Sequence, residues 1–175
     1  MITRSLGRLA FGAVAALLVS MLAGANVYGD EPAGAATVNV GGEVKSHLRL
    51  DLAALSKLPR QQVEASAHDV SGTWEGVLLA DILRAAGAAM GDELRGKNLS
   101  LYVRVTAADN YHAVFSLAEL DPGIGGAKVI VADHRDGKLL DAKEGPLRVI
   151  AAGEKRPARW VRQVVSIDVL RAPDK

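Results

Sequence analysis

A cluster of basic side chains in the last third of the chain is the strongest candidate for chemistry. Residues 148–162 contain one acidic residue, Glu154, and five basic residues: Arg148, Lys155, Arg156, Arg159 and Arg162. Guanidinium groups hold phosphate or pyrophosphate through paired N–H donors, so this spacing indicates a site for a small anion. The alternative is a solvated hairpin in which Trp160 anchors the packing.

Other residue types that could do chemistry are thinly spread. The chain contains four histidines: His47, His68, His112 and His134. They show neither the i, i+4 pairing nor the tight spacing of a dedicated metal site. Asp109 and His112 flank Tyr111, but their surroundings favour a strand or loop with solvated polar side chains. The chain has no cysteine, which excludes disulfides, thiolate metal sites and thiol nucleophiles.

Hydrolase and nucleotide-binding patterns are also missing from the sequence. None of the candidate serines lies in the G-x-S-x-G turn that exposes a nucleophile; they are Ser66, Ser71 and Ser116. The glycine-rich residues 123–126 follow Pro122 and predict a loop, whereas a phosphate-binding turn joins a strand to a helix. The sequence therefore disfavours nucleotide binding.

Composition limits the class of protein. With 175 residues, of which 49% are hydrophobic, 23% charged and 4% aromatic, one globular domain is expected. Lys and Arg total 21 against 20 acidic residues, without the basic stripe of a nucleic-acid surface. Nucleic acid is therefore not an expected partner.

The N-terminus has the pattern of a secretory signal peptide over residues 1–25. Arg4 and Arg8 precede an apolar run, and Ala25 ends a small-x-small site for cleavage. The run is shorter than the roughly 20 residues that span a bilayer, so no stable membrane anchor is expected after cleavage. An uncleaved anchor is the alternative.

Export in the unfolded state is expected, because Arg4 and Arg8 are not adjacent and do not form a twin-arginine signal. Residues 26–36 lack hydrophobic periodicity and predict a flexible linker. The sequence thus predicts a periplasmic or secreted protein whose domain spans residues 37–172.

Alternation and turn residues predict the elements that must position the basic cluster. Strands are predicted over residues 37–40, 43–50, 99–105, 128–133, 147–151 and 164–170, with one more through Val63. Gly41-Gly42 and Asp136-Gly137 are expected to turn hairpins.

The predicted helices are few and short. Residues 77–86 carry an apolar helical face that Gly87 ends, Asp51 caps a short helix, and Ser116 with Glu119 forms a capping box. Because strands and helices do not alternate regularly, the expected class is α+β in a single domain.

Four segments taken together resemble a known arrangement. They are W-E-G-V-L-L-A-D-I-L at residues 74–83, D-N-Y at 109–111 with F-S-L-A-E-L at 115–120, G-P-L-R at 145–148 and R-W-V-R at 159–162. In order and spacing they resemble the molybdopterin-binding domain of the sulfite oxidase type, over about residues 38–170. The resemblance implies a mixed α+β fold with short helices that grips a pterin pyrophosphate, where molybdenum carries out oxygen-atom transfer.

The resemblance also implies which residues hold the cofactor. Arg148 matches the arginine at the entry to a strand. Arg162, and with it Arg159, matches the basic positions that contact the pterin phosphate. Tyr111 and His112 lie in the segment near the mouth of the substrate site.

One departure from the family pattern concerns the metal. Catalytic members place a cysteine upstream of the W-x-G segment as a thiolate ligand to molybdenum, and residues 64–69 here contain none. A thiolate tunes the metal, so its loss argues against sulfite-oxidase chemistry. Ser66 or Asp69 would be the alternative oxygen ligand.

Two functions are therefore expected. The first is an exported binding or accessory module that holds a small anionic ligand or molybdopterin without the thiolate. The alternative is a molybdenum-dependent oxidoreductase that uses a ligand other than cysteine. A closed cleft, with no cofactor and a periplasmic protein partner on the surface, is a further possibility.

Overall fold

Two five-stranded sheets form most of the computed structural model, which describes residues 37–173. The signal peptide predicted at residues 1–25 and the linker predicted at 26–36 lie outside the described residues. Residues 37–173 contain ten strands: β1 (Val38–Gly42), β2 (Leu48–Leu50), β3 (Arg60–Ala67), β4 (Val70–Leu78), β5 (Leu101–Ala107), β6 (His112–Ser116), β7 (Val129–Arg135), β8 (Lys138–Leu139), β9 (Arg148–Ala151) and β10 (Val164–Arg171).

The strand order mixes neighbours from distant parts of the chain. The first sheet has the order β2-β1-β10-β5-β6, and the second has the order β3-β4-β7-β8, with β9 paired to β7. β1 and β10 run parallel. The other strand pairs are antiparallel. These mixed sheets with short helices confirm the predicted α+β class.

The described helices are short. Residues 37–173 contain three α-helices, α1 (Leu52–Leu55), α2 (Leu79–Ala85) and α3 (Leu117–Leu120), and 3-10 turns at Gly91–Glu93, Gly96–Ser100 and Pro157–Arg159. The predicted cap of α1 is confirmed, because Asp51 Oδ1 accepts from the Ala54 backbone N–H at 2.7 Å. No helix of this part of the chain is long and apolar enough to cross a bilayer.

The helix predicted over residues 77–86 begins two residues later than expected. Val77 and Leu78 instead continue β4, where they pair with Val131 and Ile130 of β7. Apolar residues at the junction satisfy both a buried strand and a helix, so periodicity alone misplaced the boundary. The predicted helix end is confirmed, since Gly87 has a φ of +74°.

Two other sequence predictions are corrected by local hydrogen bonds. The strand predicted from Leu99 starts at Leu101, because Leu99 lies in a 3-10 turn and is 52% exposed. Ser116 Oγ accepts from the Glu119 N–H at 3.0 Å, as a capping box requires. One oxygen of the Glu119 carboxylate accepts from Arg159 at 2.8 Å and the other from the Ser116 hydroxyl at 3.4 Å, so its bond to the Ser116 backbone N–H is missing and only half of the box forms.

The two predicted hairpin turns differ in outcome. Asp136 and Gly137 have φ values of +50° and +76° and join β7 to β8 as expected. Gly42 does not turn a hairpin with its neighbour; it ends β1 against β10, where a Cβ atom would lie 2.0 Å from the Val169 carbonyl oxygen. Residues 43–47, predicted as strand, therefore form the connection to β2.

One continuous hydrophobic cluster supports both sheets. Val103 and Phe115 of the first sheet, Trp74 and Ile130 of the second and Leu83 of α2 are all fully buried in it. The alternating burial of β5 puts Val103 on the inner face and leaves every second residue nearer to solvent. The loops at the strand ends, rather than this core, supply the polar groups of the candidate site.

Candidate functional site

A surface hollow forms where three connecting segments meet, and we call it the Tyr111–Arg162 hollow. Its volume is about 310 Å³, at the lower end of small-ligand sites. The turn between β5 and β6, the loop before β9 and the segment leading into β10 supply its lining. The lining residues are Ala107, Asp109, Tyr111, Lys143, Pro157, Ala158, Trp160, Arg162 and Gln163.

The β5–β6 turn holds Tyr111 against the opposite wall. Asp109 Oδ1 accepts from the Tyr111 N–H at 2.9 Å, and Asn110 adopts a φ of +66°, which asparagine tolerates better than most residues. The Tyr111 hydroxyl donates to the carbonyl oxygen of Ala158. Two segments far apart in the sequence are thereby joined across the hollow.

Gln163 ties all three segments together. Its backbone N–H donates to the Glu144 carbonyl at 3.2 Å, and its carbonyl accepts from Ala108 at 3.0 Å. Its side-chain amide donates to the Ala142 carbonyl at 2.7 Å. Gln163 has a φ of +47°, a left-handed conformation that is strained for a residue with a Cβ and that often accompanies functional loops.

Two exposed cations dominate the charge of the hollow. Lys143 and Arg162 form no ion pair with a carboxylate in the described part of the chain. Asp109 is the acidic residue of the lining. Backbone N–H donors of Glu144 and Lys143 lower the pKa of the neighbouring Asp141, and the charges of Lys143 and Arg162 add to this effect. The lining thus offers two donors with positive charge to an anion.

Arg148 lies outside this lining. Its side chain is 1% exposed, and Nη1 donates to Glu144 Oε1 at 2.5 Å. The guanidinium carbon lies 5.0 Å from the ring centroid of Trp74 and 5.8 Å from that of Trp160, which is cation–π geometry. Burial lowers the pKa of Arg148 below its ordinary value, although Glu144 acts in the opposite direction.

Arg159 also lies outside the lining, and its guanidinium group is paired with two carboxylates. It donates to Glu154 at 2.7 Å and to Glu119 at 2.8 Å, and its guanidinium carbon lies 4.3 Å from the Phe115 ring centroid. Burial alone would lower the pKa of Arg159, but the bonds to Glu119 and Glu154 raise it overall. This arginine clamps the segment before β10 onto β6 and α3.

His112 is exposed and is not part of the lining, and its Nδ1 lies 3.0 Å from the Asn110 carbonyl oxygen. The structure therefore brings two of the five predicted cofactor residues, Tyr111 and Arg162, to one hollow. Arg148, Arg159 and His112 surround it without lining it. That any of these residues holds a pterin stays a prediction.

Sequence reasoning missed several residues of the site. Lys143 could have been placed in a turn from the sequence, because Asp141 precedes it by two residues and an aspartate that accepts from the N–H two residues later is typical of a turn. Glu144 gave no signal of its own, since its partners Arg148 and Arg135 are set by the fold. The left-handed Gln163 gave none either, because glutamine rarely adopts that conformation.

The metal that the resemblance implies does not fit the residues of this chain. Ser66 and Asp69 are exposed at the β3–β4 hairpin, and the hollow that Ser66 lines shares no residue with the Tyr111–Arg162 hollow. Within residues 37–173, no group of three His, Asp or Glu side chains is placed to hold a metal ion. The chain has no thiolate donor. What the lining offers instead is two exposed cations, Lys143 and Arg162.

Comparison with known proteins agrees with this fold. A family model for the oxidoreductase molybdopterin binding domain matches residues 29–175. The crystal structure of the sulfane dehydrogenase SoxCD from Paracoccus pantotrophus is similar, with a TM-score of 0.60, 16% sequence identity and coverage of 76% of this chain.

This chain spans 37% of the length of the matched SoxCD chain, and at that identity the likeness shows the fold alone. No curated protein sequence matches. Because the family model covers most of its length, the chain belongs to the family of the oxidoreductase molybdopterin binding domain, of the sulfite oxidase type.

Proposed function

We propose that this protein binds a small oxyanion in the Tyr111–Arg162 hollow, as the phosphate of a pterin or as a free anion, and serves as a binding or accessory module. One observation carries the proposal: Lys143 and Arg162 face the same hollow with no carboxylate ion-paired to either among residues 37–173. Their charges are free to meet a ligand, whereas those of Arg148 and Arg159 are neutralised internally.

Four residues of the lining have a task in this proposal. Arg162 supplies paired N–H donors to the oxyanion, and Lys143 supplies a second positive charge from the facing loop. Tyr111 and Gln163 fix the distance between the loops through their hydrogen bonds to Ala158 and Ala142. Oxygen-atom transfer is not part of the proposal, because the donor set lacks the thiolate that tunes the metal.

Isothermal titration with pyrophosphate tests this assignment. We expect Arg162→Ala and Lys143→Ala each to weaken binding about tenfold, as loss of a charge-assisted contact does. Arg156→Ala is the matched control, since Arg156 is exposed on the same segment but does not line the hollow. Equal affinity in the wild type, Arg162→Ala and Lys143→Ala would remove the proposal.

The second candidate is a molybdenum-dependent oxidoreductase with a ligand other than cysteine, which family membership favours. Its test is the metal and pterin content of the purified full chain. One molybdenum per chain, lost together with pterin in Ser66→Ala or Asp69→Ala, would establish this candidate. Molybdenum well below one per chain would leave the binding module.

Export is proposed from the sequence of residues 1–25, which carry the signal pattern. We expect the mature protein in the periplasm or medium to begin at Asn26, as N-terminal sequencing would report. A mature protein that retains Met1 and stays with the membrane would favour the uncleaved anchor. Pull-down from a periplasmic extract, with Arg162→Ala as a comparison, would find a protein partner of the accessory module.

A further inference from the structure

The Glu144 carboxylate contacts Arg148 and Arg135 in the way that a bound anion would. One carboxylate oxygen accepts from Arg148 Nη1 at 2.5 Å, and the other lies 3.7 Å from Arg135 Nη1. Arg135 and Arg148 lie on the neighbouring strands β7 and β9. Both guanidinium groups also face Trp74, with their central carbons 4.9 Å and 5.0 Å from its ring centroid. A carboxylate bridging two arginines is the arrangement in which proteins hold small oxyanions.

This cluster carries more positive charge and more N–H donors than Glu144 can satisfy. The positive charges of Arg162 and Arg135 both add to the burial that lowers the pKa of Arg148. Among the described residues, the buried Nε atoms of Arg148 and Arg135 and the Trp74 Nε1 atom have no hydrogen-bond partner. Buried donors are nearly always paired, so Arg148 Nε and Trp74 Nε1 indicate room for a further acceptor, whereas Arg135 Nε already lies 3.5 Å from Asp136 Oδ2. A carboxylate has two oxygens, whereas sulfate or phosphate has four.

Glu144 lies next to the Tyr111–Arg162 hollow without lining it. It directly follows Lys143 in the chain, and its carbonyl oxygen accepts from the backbone N–H of Gln163. Both of those residues line the hollow. Glu144 therefore contacts a lining residue through its backbone carbonyl and the buried Arg148 through its side chain.

We propose that Glu144 is a tethered carboxylate that competes with an external oxyanion for Arg148 and Arg135, so that a free sulfate- or phosphate-sized ion can take its place. This inference rests on the proposed function, because Glu144 adjoins Lys143 and Gln163 of the hollow that is proposed to bind the oxyanion. While Glu144 is paired with Arg148, the affinity of this cluster for an external ion stays low, and it rises when the carboxylate is displaced.

The test is the affinity for sulfate of the full chain carrying Glu144→Gln, which keeps the shape and removes the charge. We expect sulfate to bind Glu144→Gln about tenfold more tightly than wild type by titration at constant ionic strength. The nitrogen-15 spectrum adds a local readout, because the chain has two tryptophans. The Trp74 indole signal, whose N–H is unpaired, should shift more with sulfate than the Trp160 signal, whose N–H donates to the Ala151 carbonyl.

Glu154→Gln is the matched control. Glu154 is 22% exposed and ion-paired with Arg159, and Glu144 is 21% exposed and ion-paired with Arg148. Arg159 keeps Glu119 as a partner, so Glu154→Gln should gain no affinity for sulfate. A carboxylate with a purely structural role would lower stability in both variants and raise sulfate affinity in neither.

If Glu144→Gln fails to fold in chloride buffer, rescue replaces titration. Sulfate should then restore the folded spectrum where chloride of equal ionic strength does not, because the ion takes the place of the lost carboxylate. A parallel experiment with glycerol 2-phosphate distinguishes a free ion from a phosphate group on a larger molecule. Rescue or tighter binding by sulfate or by glycerol 2-phosphate supports the competition. If sulfate neither binds Glu144→Gln more tightly nor rescues its folding, the competition is overturned.

Failure of this inference is distinguishable from failure of the proposed function. Equal sulfate affinity of wild type and Glu144→Gln removes the competition alone. Equal pyrophosphate affinity of wild type, Arg162→Ala and Lys143→Ala removes the hollow as a binding site, whatever Glu144→Gln does.

Discussion

Arg60 of β3 and Arg148 of β9 both belong to the second sheet, yet their surroundings have different charge balance. Arg60 donates to Asp133 at 2.6 Å and 3.0 Å and to Glu75 at 2.7 Å, so one cation meets two carboxylates. Arg148 shares the single carboxylate of Glu144 with Arg135. The bond to Asp133 raises the pKa of Arg60, whereas burial lowers the pKa of Arg148.

The difference shows why a count of basic residues does not locate a binding site. Arg60 is saturated by its own carboxylates and has a structural task. The buried Arg148 is paired with one carboxylate, Glu144, and Arg162 of the neighbouring hollow has no ion pair among residues 37–173. A surplus of cations over nearby carboxylates, rather than their number, indicates where an external anion is stabilised. Four predictions test this comparison.

The largest expected effect is that of Glu144→Gln on stability. Removing this carboxylate leaves the buried Arg148 without a counter-charge, which should cost about 3 kcal/mol of unfolding free energy. Urea denaturation in chloride buffer measures it. A loss under about 1 kcal/mol would mean that Arg148 is less dependent on Glu144 than its 1% exposure indicates.

Asp133→Asn should cost less, although the distances around Arg60 are equally short. Arg60 keeps its bond to Glu75 and reaches solvent with a quarter of its side chain. We therefore expect a loss of about 2 kcal/mol in the same urea experiment. A loss larger than that of Glu144→Gln would reverse the ranking of the two regions.

Acid should weaken the Arg60 region in a defined pH window. Burial alone would raise the pKa of Asp133, but hydrogen bonds from Arg60 and His134 outweigh it and lower the pKa below the ordinary value of 3.8. A carboxyl with a lowered native pKa contributes stability that is present above its unfolded pKa and lost as the pH falls through the native one.

As the pH falls below about 5, the unfolding free energy should therefore decrease more steeply in wild type than in Asp133→Asn. This extra decrease should be smaller than the loss of stability that either substitution causes at neutral pH. Parallel curves for the two proteins would show that Asp133 does not carry this dependence. Asp141, whose pKa is also lowered, contributes equally to both proteins and cancels in the comparison.

The smallest expected effect is that of Tyr111→Phe. It removes the bond to the Ala158 carbonyl across the hollow, and because this bond is exposed the loss should be about 0.5 kcal/mol. Thermal unfolding measures stability, and pyrophosphate titration should show only slightly weaker binding. A loss of binding as large as in Arg162→Ala would place the hydroxyl itself against the ligand.

Local rules predicted much of the fold. The caps at Asp51 and Ser116, the Asp136-Gly137 turn and the alternation of Val103 and Val105 depend on neighbours within a few residues, and all four are confirmed. The start of α2 was wrong, because Leu78 satisfies both a strand and a helix until β7 is placed beside it.

The site was less accessible to sequence reasoning. Tyr111 and Arg162 were found through the family resemblance, and their meeting in one hollow depends on the pairing of β5 with β10. Sequence reasoning treated the arginines of residues 148–162 as one cluster. The fold separates Arg148 and Arg159 from it, because Glu144, Glu119 and Glu154 reach them from different parts of the chain.

β10 is the last strand within residues 37–173, and it lies in the middle of its sheet, between β1 and β5. Two separate hairpins, β1–β2 and β5–β6, are therefore joined into one sheet only when residues 164–171 pair with both of them. Such long-range closure slows folding and exposes strand edges to other chains in the meantime. The first sheet is therefore complete only after residues 164–171 have paired with both hairpins.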